Sequence, residues 1–261
     1  MHKKLFILAI FLLTIGIIGT VFTAKAYFTN IEQQDTQKIQ SDSIQVIKLN
    51  SSYGAFEIVE GTSDEIIIKT SQSNKAMKPK VEINGDTLLI KTSHKNQFQL
   101  GINFRYNEDK MYVYLPKKEF KKIIVDNSVG SIKVANIQAK NLVLSSKTGS
   151  IQMKDVDVLK TVARSQVGSI KVFGETKNLV LSSEAGSIKV DTDSLQHPGS
   201  ISSSVGSIKV FTDKKPENYM ITANTKIGST SIFGEDTNTY TNGNSQHTLK
   251  LETKTGSIKV E

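Results

Sequence analysis

The side chains of this chain that could do chemistry are lysines, paired acids and a few histidines, and their spacing narrows what that chemistry can be. Lys133, Lys171, Lys189, Lys209 and Lys259 each stand three places after a glycine in a recurring Gly-Ser-Ile-Lys. Ammonium groups at one repeated position suit a polyanion, because attraction to a line of charge adds up along the line. Lysine on a solvent-facing strand also keeps a flat sheet soluble, so the row has a binding reading and a solubilising one. Asp155 with Asp157, and Asp191 with Asp193, are same-face pairs in an extended chain. Such pairs can hold calcium, but each lacks a third ligand in its own segment and reads as solvated turn acids.

Other constellations are missing. His94, His197 and His247 lie in polar segments without metal-ligand spacing. The chain has no cysteine, which removes disulfides and thiolate metal sites together. A glycan lyase or hydrolase needs clustered carboxylates, often with an arginine base; the chain has two arginines, Arg105 and Arg164, and the coils adjacent to Arg164 offer Ser145 and Ser182 and no acid. No Gly-x-Ser-x-Gly elbow occurs, and the repeated glycines open no helix, as a phosphate loop requires. The expectation is a protein with no catalytic residues, no cofactor and no bound metal.

The elements that position these residues come from the repeat. Gly130, Gly149, Gly168, Gly186, Gly206, Gly228 and Gly256 recur at a period near 20 residues, the mark of stacked units that bury their faces only against neighbours. Seven and five places before the glycines stand inward-reading residues, most of them apolar, such as Leu142 and Leu144, with Thr161 and Ala163 in the same places before Gly168. Three before it stands a small polar residue: Asn127, Ser146, Ser165, Ser183, Ser203, Thr225 or Thr253. This is the period-two alternation of strands. The residue directly before the glycine, Val129, Val167, Val205 or Ile227 among them, reads as inward too, and the inward set resumes two places after it at Ile132, Ile151, Ile170, Ile188, Ile208 and Ile258. The slip in parity marks a corner at the glycine, where the missing Cβ allows unusual dihedrals.

The fold class expected is all-β: a right-handed parallel β-helix, or a close relative, of coils of about 20 residues. Stacking in chain order places the five lysines in one outward row, interrupted at Gln152 and Ser231. The segment Ile47 to Ile58 matches the repeat and reads as the first coil. Runs at 65–70, 81–83, 88–92 and 111–115, with an Asn84-Gly85 turn, read as a small antiparallel cap. Residues 236–244 read as a polar loop.

The N-terminus carries an address. Lys3 and Lys4 precede an uncharged apolar run from Leu5 to Thr23, about 28 Å long as a helix and enough for a bilayer core. The basic flank puts the N-terminus in the cytoplasm and the body outside. Ala24-Lys25-Ala26 resembles a cleavage site, so a released form is the alternative to a membrane anchor. The domains expected are 1–27, cytoplasmic tip and membrane segment; 28–44, polar linker; and 45–261, the β domain. The formal charge of +8 falls to +5 without Lys3, Lys4 and Lys25. Mild basicity outside a membrane points to anionic lipid or wall polymer, and not to nucleic acid.

The stretch Val113-Tyr114-Leu115-Pro116-Lys117, then Ile123 through Val134 with Asn127-Ser128-Val129-Gly130-Ser131-Ile132, then Leu142 through Ile151, resembles the bacterial putative-adhesin β-helix family over about residues 45–260. With a membrane segment in front it is similar to the LiaG-like surface proteins of Gram-positive bacteria, associated with the Lia cell-envelope-stress system. The resemblance implies an anchored, extracytoplasmic, non-enzymatic role near envelope sensing or protection. Family members commonly have Gly-Asp where this chain has Gly-Ser, which removes the repeated acid. The leading expectation is therefore a binding or scaffold module whose partner is an anionic envelope polymer or a membrane protein. A surface adhesin is the alternative, with a glycan-acting enzyme behind it.

Overall fold

The computed structural model describes residues 33–72, 79–92 and 110–261, and among them there is strand, turn and loop but no helix. The apolar run Leu5 to Thr23, the Ala24-Lys25-Ala26 triplet, His94 and Arg105 lie outside the described residues. In chain order the strands are β1 (Gln33–Gln40), β2 (Val46–Ser51), β3 (Ala55–Glu60), β4 (Glu65–Gln72), β5 (Lys80–Asn84), β6 (Thr87–Thr92), β7 (Lys110–Leu115), β8 (Glu119–Val129), β9 (Ile132–Ala135), β10 (Gln138–Thr148) and β11 (Ile151–Lys154). They continue as β12 (Asp157–Val167), β13 (Ile170–Phe173), β14 (Leu179–Ala185), β15 (Ile188–Thr192), β16 (Gly199–Val205), β17 (Ile208–Thr212), β18 (Tyr219–Ile227), β19 (Thr230–Ile232), β20 (Thr239–Asn242), β21 (His247–Thr255) and β22 (Ile258–Val260).

Each coil contributes a strand before its glycine to one sheet and a shorter strand after it to another. The long strands form the order β20-β18-β21-β16-β14-β12-β10-β8-β2-β6-β5, and the short ones β1-β4-β7-β3-β9-β11-β13-β15-β17-β22-β19. Register is strict: Leu144 lies between Val125 and Ala163, and Ile170 between Ile151 and Ile188. Alternate residues of both sheets meet in one core, with Phe56, Phe120, Leu144, Ile170 and Ile208 essentially removed from water. The expected β-solenoid is thus observed, as two sheets folded about a shared apolar interior.

The corner departs from the sequence expectation. Asn127, Ser146, Ser165, Ser183, Ser203 and Thr253, three before the glycine, are buried, and the isoleucines two after it are buried. The residue directly before the glycine points out, so Val129, Val167, Val205 and Ile227 are exposed. The chain turns there, and the inward succession passes from the small polar residue straight to the isoleucine. The small polar residue is needed because the corner carbonyls require a donor. Ser165, Ser183, Ser203 and Thr253 donate to the carbonyls of Gly149, Gly168, Gly186 and Gly206 at 3.0 to 3.2 Å. Asn127 does the same for Gly54 at 3.0 Å. Ser146 Oγ has no hydrogen-bond partner among the described residues. Ser165→Ala should therefore cost about 1 kcal/mol of stability, and Ser146→Ala about nothing. Urea denaturation of the two variants checks the contrast.

At both ends the stacking order departs from chain order. The β2–β3 coil is not terminal: β6 and β7 run parallel to β2 and β3 and form a coil outside it. β4 and β5 are antiparallel to β7 and β6, so the expected cap is part coil and part antiparallel. The hairpin turns on Gly85 and Asp86, with Gly85 at φ +60°. The polar stretch assigned to a linker also contributes: Gln33–Gln40 is strand β1 at the edge of the short-strand sheet, and Ile44 is buried. Its alternating residues pair by backbone, which polar composition does not forbid.

At the other end the last coil in sequence, β21–β22, is inserted between β16–β17 and β18–β19. The segment at 236–244 is not all loop, since β20 pairs antiparallel with β18 and covers the edge. Tyr219, at the start of β18, is fully buried and donates to the His197 carbonyl at 2.7 Å. Burial pushes its phenol well above the ordinary value near 10. The folded chain then keeps a proton that the unfolded chain releases, so stability present below about pH 10 is lost as pH rises beyond it. The stability difference between wild type and Tyr219→Phe should shrink by up to about 1.4 kcal/mol per pH unit above that point. Thermal melts of the two proteins at pH 9 and 11 measure it.

Candidate functional site: the outer face of the short-strand sheet

The short strands after each glycine alternate Ile-in, Lys-out, Val-in, so the lysine, fourth residue of the repeat, must face solvent. The register places Lys133 beside Gln152, Gln152 beside Lys171, and then Lys171, Lys189, Lys209 and Lys259 on four successive strands. The insertion of β22 moves Ser231 to the far side of Lys259, at the end of the row. The sequence expectation of an interruption there does not hold, and four lysines stand in unbroken succession. Parallel strands lie about 4.8 Å apart, so the four span roughly 14 Å. At that spacing neighbouring ammonium groups repel by about 1 kcal/mol even in a water-like dielectric.

The next outward position shows how this repulsion is relieved. It holds Phe173 on β13, Asp191 on β15 and Phe211 on β17 in register, with Glu261 and Phe233 continuing on the last two coils. Aromatic and acid alternate. Lys189 Nζ meets Asp191 Oδ2 at 2.9 Å and lies 5.4 Å and 4.8 Å from the ring centres of Phe173 and Phe211. Lys259 pairs with Glu261. Lys171 and Lys209 have no ion pair among the described residues, and both are exposed. The face thus carries pinned cations alternating with free ones, and the free pair sits two strands, roughly 10 Å, apart. The sequence reading missed the alternating Phe and acid row, although it was visible two places after Lys171, Lys189, Lys209 and Lys259.

The paired acids also come together, which the sequence reading did not foresee. Asp155, Asp157, Glu175, Asp191, Asp193 and His197, from three successive return segments, line a groove of about 720 Å³. Lys177 donates to Asp157 at 2.8 Å, which raises the lysine's pKa. Among the described residues no three acids or histidines converge to hold a metal ion. His197 and His247 come within 6.2 Å, ring centre to ring centre. Arg164 stands exposed between Ser145 and Ser182, with no acid at either flank.

Comparison with known proteins bears on the scaffold. None of the curated proteins matches the chain. Among solved structures, it is similar to a "putative adhesin" from Bacteroides fragilis NCTC 9343, at 13% identity and a TM-score of 0.45, covering 89% of this chain and 99% of that one. It is similar to a "putative lipid binding protein" from Parabacteroides distasonis ATCC 8503, at 14% identity and a TM-score of 0.41, covering 88% and 97%. A "putative cell adhesion protein" from Clostridium sporogenes ATCC 15579 matches at 16% identity and a TM-score of 0.37, covering 88% and 99%. Residues 44–197 match the family model described as Toastrack DUF4097. They run from the buried Ile44 through the coils that carry Lys133, Lys171 and Lys189 into the wall of the acidic groove, so by more than half its length the chain belongs to the Toastrack DUF4097 family.

Proposed function

We propose that the protein is a non-enzymatic binding module, held outside the cytoplasmic membrane by its N-terminal apolar segment, and that its lysine face takes an anionic envelope polymer. The observation that carries this reading is the unbroken register of Lys171, Lys189, Lys209 and Lys259 on neighbouring strands. A phosphodiester chain laid across the strands meets free ammonium groups at Lys171 and Lys209, and Phe173 and Phe211 beside them offer apolar surface to its backbone. Rigid coils hold these groups in place before binding, so little side-chain order has to be created. The sequence resemblance to LiaG-like proteins supports a setting beside an envelope-stress sensor, and an adjacent sensor-kinase gene is what that setting predicts.

The test uses the full chain in zwitterionic nanodiscs, titrated with purified teichoic-type polymer. Each exposed cation contributes up to about 1 kcal/mol, so Lys171→Gln with Lys209→Gln should weaken binding roughly 5- to 30-fold and flatten its salt dependence. Equal affinity of the double variant and the wild type, or binding indifferent to salt, would exclude the reading.

A further inference from the structure

A different row of the solenoid is harder to explain as a solvated surface. The residues directly before the corner glycines, taken in stacking order, are Tyr53, Val129, Thr148, Val167, Ala185, Val205, Thr255 and Ile227. The turn at the glycine forces this position outward, and Val129, Val167, Val205 and Ile227 are 43%, 54%, 57% and 68% exposed. None of the eight residues at this position is charged. The position just before it does accept charge, with Lys147, Glu184, Lys254 and Lys226 among its occupants, so solvent at the corner does not by itself select apolar residues. Seven steps of about 4.8 Å make a ridge roughly 34 Å long and one residue wide.

The charges beside the ridge indicate its occupant. On one flank stand Lys147, Lys254 and Lys226, with Glu184 the one acid. On the other, beyond a line of serines, runs the row of Lys133, Lys171, Lys189, Lys209 and Lys259. The most exposed apolar residues, Val205 and Ile227, lie at the end where Lys226 and Lys254 lie, on neighbouring coils. A ridge one residue wide is too narrow for a stable protein interface, which buries on the order of 1,200 Å² or more. A lipid surface needs less: shallow entry of a few aliphatic side chains, with cations at the level of the phosphates. Reach is also available. If Leu5 to Thr23 spans the bilayer, nine residues separate it from β1, or at most about 32 Å of chain.

We propose that the glycine corner is a membrane-contacting edge, which seats Val205, Thr255 and Ile227 among the headgroups of an anionic bilayer while Lys226 and Lys254 meet its phosphates. This rests on residues other than the lysine face and does not require polymer binding. Because the chain has no cysteine, Thr255→Cys gives a single labelling site inside the ridge, and Ser202→Cys gives a control on the outer face of the long-strand sheet. The full-length protein, reconstituted in phosphatidylglycerol-rich vesicles and labelled with an environment-sensitive fluorophore, is exposed to lipids carrying a headgroup-level spin-label quencher. Quenching at position 255 should be at least twofold that at position 202. It should fall to the control level in Val205→Ser with Ile227→Ser, and in vesicles of phosphatidylcholine alone. Equal quenching at 255 and 202, or quenching at 255 that survives the double serine substitution, overturns the proposal. Circular dichroism of each variant confirms that the fold is retained, since every substituted ridge residue is exposed.

Discussion

Gly149→Ala should abolish folding of the central coils, or cost more than about 3 kcal/mol if the chain folds at all. A Cβ at Gly149 would stand 2.0 Å from the carbonyl oxygen of Gly130 and 2.6 Å from its carbonyl carbon. Both atoms are backbone and cannot swing aside. The Gly130 amide is meanwhile held to the Thr148 carbonyl at 2.9 Å, and the Gly149 amide to that of Val167 at 2.8 Å. The backbone conformation adds to the difficulty, because φ is +148°, a region whose occupation by a residue with a side chain costs on the order of 1–3 kcal/mol before any clash. Gly85→Ala separates the two effects. It has a positive φ but nothing within 4 Å of the new Cβ, and should lose only about 1–2 kcal/mol. Chemical denaturation of the two variants measures both. A Gly149→Ala protein as stable as Gly85→Ala would mean that the coils can separate at the corner.

Ending the chain after Ser245 should unfold far more than the residues removed. In a solenoid stacked in chain order, losing the last coil exposes one new edge and leaves the rest standing. Here β21 and β22 lie between two other coils. Removing them takes Leu249, Leu251, Ile258 and Val260 out of the core, roughly 6–12 kcal/mol of apolar burial as an upper bound. That is comparable to the whole stability of an ordinary domain. It also leaves β18 and β19 without their parallel neighbour. Hydrogen exchange should show protection lost across β18, β19 and β20, and weakened in β16 and β17. Wild-type protection of β18 in the shortened chain would mean that it slides across to pair with β16, and would contradict this expectation.

The coils were legible in the sequence because each carries the same pattern over the same length. Leu142, Leu144 and Ile151 declare an interior, and Gly149 a corner, without reference to any other coil. What could not be read is order. Nothing in residues 247–261 distinguishes a terminal coil from one tucked between two others, because β21 presents the same template to β16 that β18 would have presented. The outcome depends on the length of chain between β19 and β21, which is long enough to reach back. The same ambiguity hid the second N-terminal coil. The corner residues were misread because alternation was carried through the glycine, where a turn interrupts it. As for the candidate site, the lysines were found by position, while their continuity was not, since it depends on β22 lying next to β17. The acidic groove was invisible because it joins segments from different coils.

The ends that fold back on themselves have a consequence for the length of the molecule. On the long-strand sheet each end is covered by an antiparallel strand, β5 beyond β6 and β20 beyond β18, so the plain stacking of coils stops there. Between β8 and β17, by contrast, every coil meets its neighbours through the same glycine, the same buried hydroxyl or amide and the same isoleucine. A unit of about 19 residues could be spliced in or taken out there with both closures untouched. The molecule is a zip fastener with fixed stops and a variable number of teeth, and the count of lysines on its face is the quantity that would change.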